Sequence, residues 1–227
     1  MKWIDVALKE KMKTLRGNQY FDDLPESILK EIAEHTRLGE YQRGDVLLWE
    51  GDPCDGLFIM EHGSAKIFRL SPQGRQYIVR ILQEGDTFAE VPAFDEGTSP
   101  VNVEALEACQ VWVINKDKLH ELVMEHPTFA QKVLVNFGRM LRGMVRMVSE
   151  MAFYQVTHRL AHLIADIAED KSSPQWTQEQ LAARLGTVRE VVARSIKELE
   201  RSGAIKMEDR RIQIVDKEIF EQWMQPN

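Results

Sequence analysis

Ala130, Val133, Phe137, Met140, Met144, Met147 and Met151 are spaced alternately three and four residues apart. A 3.5-residue apolar period held this long is that of a helix lying along another helix. Leu134, Leu141 and Val148 recur every seven residues beside that row. The helix therefore has two apolar faces, one for a partner helix and one for the body of its own chain. The spacing predicts a dimerisation helix over 127–151, with Val133, Phe137, Met140, Met144, Met147 and Met151 in a homodimer interface. The alternative is one wide face buried within a monomer. Four methionines in the row suit an interface that can repack.

The texture before this helix is different. From Gly39 to Ile114 short apolar runs, "LFIM", "AKIFRL", "YIVRIL" and "VWVI", alternate with glycine-bearing turns, and Gly-Asp occurs at 44–45, 51–52 and 85–86. Strand-length runs with turns every 8–12 residues predict a small antiparallel sandwich or barrel. "SPQG" at 71–74 reads as a hairpin turn. Upstream, a short amphipathic helix is expected within 1–20. A second follows Pro25, with Leu24, Ile28, Leu29 and Ile32 as its apolar stripe.

After Ala152 comes "YQVTHRLAHLIADIAED", then a loop, then "TQEQLAARLG" and "TVREVVARSIKELERSGAI", then a strand pair in "AIKMEDRRIQIV" with a turn near Asp209. This is the order of a winged helix-turn-helix. Thr177 and Gln180 have capping-box spacing, and Gly186 permits the tight turn between helices. Val192, Ile196 and Leu199 follow i, i+4, i+7 and face a core. Arg189, Glu190 and Arg194 then point away from it. Arginine bonds guanine bidentately and glutamate accepts from cytosine N4, so the trio has the chemistry of a base-reading head. A surface ion pair is the plainer alternative. Val191 is placed to touch a thymine methyl or the backbone, and Thr177 and Gln178 complete the candidate DNA contacts.

The chain carries 29 Lys+Arg against 36 Asp+Glu, a net charge of −7. That argues against a general nucleic-acid coat but not against a local surface. Between Gln175 and Arg211 eight basic residues meet six acidic ones, so the surplus falls around the proposed reading helix. Cys54 and Cys109 are the two cysteines. They are too few for an iron–sulfur cluster and are expected to be reduced thiols. No run reaches the length of a membrane span, and "MKWIDVALKEKMKTLRG" lacks a secretory apolar core. A cytoplasmic protein is expected.

"TQEQLAARLGTVREVVARSIKELERSGAI" resembles the helix-turn-helix of the CRP/FNR family of bacterial transcription regulators. The family's R-E-x-V-x-R segment corresponds to Arg189-Glu190-Val191-Val192-Ala193-Arg194. "GDVLLWEGDPCDGLFIMEHGSAKIFRLSPQGRQ" is similar to the family's cyclic-nucleotide-binding-type barrel, and the heptad helix lies where the family dimerises. The resemblance covers nearly the whole chain and implies an α+β fold: an N-terminal antiparallel β-roll, a long helix, and a C-terminal winged helix-turn-helix. The expected domains are 1–126 for sensing, 127–151 for dimerisation and 152–227 for DNA binding. The implied partners are a second copy and double-stranded DNA with two inverted half-sites, with RNA polymerase as a further partner.

Cyclic-nucleotide binders of the family use a Gly-Glu pair for the ribose and an Arg-Ser or Arg-Thr pair for the phosphate. Here Glu90 is kept, Ala89 stands for the glycine, and Ser99-Pro100 stands for Arg-Ser, with no arginine between Arg80 and Arg139. A buried cyclic phosphate would lack its cation, so cAMP bound in the family's manner is not expected. A non-standard phosphate site is the alternative. "KIFRLSPQGRQ", "TFAEVPAF" and "THR" before "LAHLI" are similar to the dissimilatory-nitrate-respiration, nitric-oxide-responsive branch, whose members are associated with haem. His35, His62, His120, His126, His158 and His162 are available as axial ligands, and no spacing selects one; the i, i+4 pair His158 and His162 lacks a third ligand. The expected effector pocket is lined by Glu90, Pro92, Ser99, Pro100, Val101, Phe137, Met140 and Met144. Two other classes fit the sequence less well. A regulatory module of an enzyme would leave residues 153–215 unexplained, and a cupin-like metalloenzyme would need an H-x-H pair that the chain lacks.

Overall fold

The computed structural model describes residues 2–169, 176–208 and 211–225. In chain order the elements are β1 (Lys2–Ile4), α1 (Leu8–Gly17), α2 (Glu26–Glu34), β2 (Thr36–Tyr41), β3 (Val46–Leu48), β4 (Gly56–His62), β5 (Ala65–Leu70), β6 (Gln76–Leu82), β7 (Thr87–Phe88), α3 (Glu90–Phe94), β8 (Asn102–Ala105), β9 (Cys109–Asn115) and α4 (Lys116–Glu125). Then follow α5 (Pro127–Phe153), α6 (Val156–Glu169), α7 (Gln178–Leu185), α8 (Arg189–Arg201), β10 (Ile205–Glu208), β11 (Arg211–Ile214) and α9 (Lys217–Gln222). The predicted wing turn at Asp209 lies outside the described residues.

The chain divides into two compact units. One runs to Arg69 and resumes over Val79–Arg139; the other takes Leu70–Ile78 and the chain from Met140 onward. The division falls inside α5 and assigns the tip of the β5–β6 hairpin to the second unit. At that tip Gly74 N–H donates to the Ser71 carbonyl at 2.8 Å, which closes the "SPQG" turn.

In the first unit β1-β2-β9-β4-β7 form one sheet and β3-β8-β5-β6 another. The central strands are apolar on consecutive residues because both faces are covered. In β4, Phe58 and Met60 enter the core between the sheets, and Leu57 and Ile59 enter a second core under the helices. In β9, Val111 and Val113 take the first side, Trp112 and Ile114 the second. The helical layer brings Leu15, Phe21, Leu29, Ile32, Leu119 and Phe129 to the second core.

The short helix expected within 1–20 is α1, over 8–17, and residues 2–4 add a strand before it, with Trp3 opposite Gly39; three residues are too few to display a strand period. In α5 the two apolar rows differ in burial. Val133 is buried in the helix-side core and Phe137 packs against it, while Met140 and Met147 are half-buried. Of the row assigned to the dimer, Met144 and Met151 are exposed, at 54% and 45%. The apolar row turned outward is Leu134, Leu141, Val145 and Val148, each at least 60% exposed. A straight helix drifts about 20° per heptad against a 3.5-residue row, and the row bearing Phe137 found core aromatics to meet.

Candidate nucleic-acid interface and sensor site

In the second unit α6, α7 and α8 enclose one core in which Leu160, Ile164, Leu181, Leu185, Val192, Ile196 and Leu199 are buried. The start of α7 is fixed by a capping box. The Gln180 N–H donates to the Thr177 hydroxyl at 3.2 Å, and the Thr177 N–H to the Gln180 side chain at 2.8 Å. The helix ends on Gly186 at φ 64°, the left-handed conformation that makes the turn tight. Arg159 of α6 donates to the Leu185 carbonyl at 3.0 Å, satisfying one of the orphan acceptors at that end. A buried polar link joins α6 to α8: the Thr157 hydroxyl lies 3.0 Å from Ser195 Oγ and donates to Glu198 at 2.8 Å. The wing strands pair in register from Ile205 opposite Ile214 to Glu208 opposite Arg211.

These contacts fix which side of α8 meets solvent. Val192, Ser195, Ile196 and Leu199 are buried, and Arg189, Glu190 and Arg194 are exposed. The trio occupies the first two turns, the end of a recognition helix that reaches base edges. Val188 supplies no side-chain cap there, and its carbonyl accepts from the Val191 N–H at 3.0 Å, so only the N–H groups of Arg189 and Glu190 face out to meet an anion. Val191 is half-buried at the edge of this face. Of the other two candidates, Thr177 is committed to capping and Gln178 is half-buried beside it.

In the first unit the sensor candidates cluster around α3. Ala89, where the family resemblance places glycine, has φ 64°. A Cβ in that conformation costs roughly 1–2 kcal/mol. Glu90 follows and is buried. Burial pushes its carboxyl up to about 7, against weaker lowering by its own backbone N–H and by Arg80. Pro92 is buried and Val101 half-buried, whereas Pro100 is exposed. Ser99 donates its hydroxyl to the Val101 carbonyl at 2.7 Å, so it serves its own turn. Phe137 meets Phe94 edge-on at 6.1 Å as part of the core. Met140 and Met144 belong to the second unit.

Tyr20 joins the candidate site without any signal in the sequence. Its side chain is fully buried and its hydroxyl has no hydrogen-bond partner among the described residues. Burial raises its ionisation strongly, the nearby Glu90 raises it further, and Arg139 opposes both. Glu90 and Tyr20 are thus two buried polar groups in the same region, with Arg80 within electrostatic reach of Glu90 and Arg139 within reach of Tyr20. A tyrosine in a loop after an amphipathic helix carries no spacing signal, so the fold alone reveals it.

The surroundings of the thiols and of four histidines are these. Cys54 and Cys109 are buried, and burial raises both thiols, Cys109 to about 11; neither is set up as a reactive thiolate. His158 is buried with its ring 5.4 Å from Trp223, and His162 stacks edge-on to Tyr154 at 5.6 Å. His62 faces Glu84 and His120 faces the Ala93 carbonyl. Among the described residues no three His, Cys, Asp or Glu side chains gather as a metal site.

A two-sheet barrel with a buried acid, followed by a long helix and a helix-turn-helix with an exposed Arg-Glu-Arg face, defines a sensor-linked DNA-binding regulator. Comparison with known proteins agrees. Residues 38–126 match the cyclic nucleotide-binding domain and residues 158–223 the Crp-like helix-turn-helix domain. The chain belongs to the CRP/FNR family of transcription regulators. It is 24% identical over 207 residues to a CRP-like cAMP-activated global transcriptional regulator of Mycobacterium tuberculosis, covering 87% of this chain and 92% of that protein. It is 27% identical over 194 residues to the cAMP-activated regulator Vfr of Pseudomonas aeruginosa, covering 80% and 91%. Among solved structures, a crp/fnr-family chain from Eubacterium rectale superposes with TM-score 0.76 at 19% identity, covering 91% of this chain and 99% of that one. The c-di-GMP-responsive regulator CLP of Xanthomonas campestris gives 0.70 at 20% identity, covering 85% and 100%. Among the described residues no helix is long and apolar enough to cross a membrane.

Proposed function

We propose that the protein is a cytoplasmic homodimer that reads two inverted DNA half-sites through α8, under control of an effector bound in the first unit. The observation that carries this reading is the exposure of Arg189, Glu190 and Arg194 on one face of a helix pinned from behind by Val192, Ile196 and Leu199. Two such helices must reach successive major grooves, ~34 Å apart. The outward row Leu134, Leu141, Val145 and Val148 supports pairing of two copies along α5.

For the effector we favour a small molecule that hydrogen-bonds the Glu90 and Tyr20 groups. A buried acid and a buried orphan hydroxyl are costly unless something completes them. The relatives named above are described as cAMP-activated or c-di-GMP-responsive, but Ser99-Pro100 offers no cation to a phosphate. A phosphate-bearing effector would have to draw on Arg80 or Arg139. The nitric-oxide-responsive assignment rests on the three sequence stretches alone. Effector control requires only unequal affinity for two arrangements of the protein.

The experiment is competition binding with wild-type and Arg194→Ala protein on a selected site and on scrambled duplex. The variant should lose about 1–3 kcal/mol on the selected site and relax preference at one base pair. An equal loss on both duplexes would show that Arg194 holds phosphate rather than reading a base.

A further inference from the structure

On the face of the barrel that carries the β1–β2 edge, two tryptophans stand in solvent. Trp3 is 41% exposed and Trp49 53%. They line one cavity of about 140 Å³, with Tyr41 and Phe58 buried among its lining and Asp52 and Asp55 exposed. Its lining holds two carboxylates and no basic side chain.

Each part has a physical meaning. Two indoles left in water on one concavity are unusual for a protein's own packing and are typical of a binding surface. Indole, phenol and phenyl faces carry negative potential and attract cations, best of all cations that water solvates weakly. Trp3 already has a cation beside it: the Arg37 guanidinium lies 5.9 Å from its ring centre. The acidic segment is pre-set. Gly51 N–H donates to the Ser99 carbonyl at 2.8 Å, Ser99 N–H to the Asp52 carbonyl at 2.9 Å, and Lys116 N–H to the Asp55 carbonyl at 3.0 Å. A site held this way loses little entropy when a ligand enters.

We propose that this cavity is a binding site for a small quaternary-ammonium compound, separate from the effector site at Glu90. The cationic head sits among the aromatic faces, and Asp52 and Asp55 supply the opposite charge at the rim. A cavity of about 140 Å³ is of the size of a trimethylammonium head with a short tail. The cavity shares Trp3, Asp55 and Val113 with a larger groove of about 700 Å³ in which Arg37 and Lys116 lie. The tail leaves by that groove, whose lining mixes Arg37, Lys116 and Lys118 with Glu34, Asp55, Asp117 and Glu121 and so suits an uncharged polar tail.

The test is a titration of the full chain with choline chloride and with its neutral isostere 3,3-dimethylbutan-1-ol, followed by tryptophan fluorescence and calorimetry at constant ionic strength. Choline should bind saturably, and the isostere about tenfold more weakly, because it keeps the shape and loses the charge. Trp49→Ala and Asp55→Asn should each weaken choline by about tenfold or more. Both substituted side chains are exposed, so unchanged melting curves check that the variants fold. The inference is overturned by no saturable signal up to tens of millimolar choline, by equal binding of the isostere, or by choline binding unaltered in Trp49→Ala. The comparison of the two ligands on unmodified protein stands even where a variant fails to fold.

Discussion

Replacing Glu90 by glutamine should stabilise the protein at alkaline pH and do little at acidic pH. The carboxyl is buried, and burial raises its pKa from 4.5 to about 7. The native state therefore holds a proton over that interval which the unfolded chain has released. Where the native state binds more protons, stability falls as pH rises. The interval from 4.5 to about 7, at about 1.4 kcal/mol per pH unit, gives about 3 kcal/mol lost by pH 8. Glutamine has the same shape and no charge to desolvate, and its carbonyl can still accept from the backbone N–H of residue 90. Urea unfolding at pH 5, 6, 7 and 8, extrapolated linearly to water, should show the two proteins nearly equal at pH 5. At pH 8 the variant should lead by about 3 kcal/mol. A gap that does not change with pH, or one that favours glutamate at pH 8, refutes the reasoning, because it means that the native carboxylate is solvated or paired. An effector that donates a hydrogen bond to Glu90 should close the gap at pH 8, since it stabilises the charged form.

Leu141→Glu, on the outward row of α5, should disrupt the dimer in sedimentation; Val133→Ala, on the inward row, should instead cost about 2 kcal/mol of folding stability and leave assembly intact. The reverse pattern would restore the row first assigned to the interface. Ala89→Gly removes a side chain from a residue at φ 64° and should stabilise by about 0.5–1 kcal/mol, read from the same urea curves; destabilisation would show that the methyl group is needed for packing against the inter-sheet core. Thr177→Ala removes the cap of α7 and should cost about 1 kcal/mol. An unchanged melting temperature would mean that Gln180 and solvent suffice there.

The sequence was most legible where local chemistry and long-range packing demand the same residues. Thr177, Gln180 and Gly186 announce the start and stop of α7 by hydrogen-bonding needs that do not depend on the rest of the fold, and the aliphatic spacing in α8 then dictates which way Arg189, Glu190 and Arg194 face. Strands β4 and β9 were legible as strands, but not as strands buried on both sides, because a short continuous apolar run fits either environment. The sensor site was half legible. Glu90 stood out by resemblance, but its partner Tyr20 arrives from a loop seventy residues earlier, a juxtaposition that only the folded chain creates.

The two rows of α5 show the limit most clearly. Both satisfy the heptad rule, so period alone says that two surfaces are needed and not which surface goes where. Choosing requires knowing what each side can meet. Phe137 has Phe94 waiting at 6.1 Å, and Met147 has the hydroxyl of Tyr77 at 3.2 Å; neither contact is local in sequence. Leu134, Leu141, Val145 and Val148 remain at least 60% exposed among the described residues. Of the row rich in aromatic and sulfur side chains, Val133, Phe137, Met140 and Met147 turn inward, because irregular cores reward large and adaptable groups, while Met144 and Met151 stay exposed. On the proposed dimer the plainer aliphatic row would meet its own copy, where symmetry presents the same side chains at matched heights and regular packing suffices.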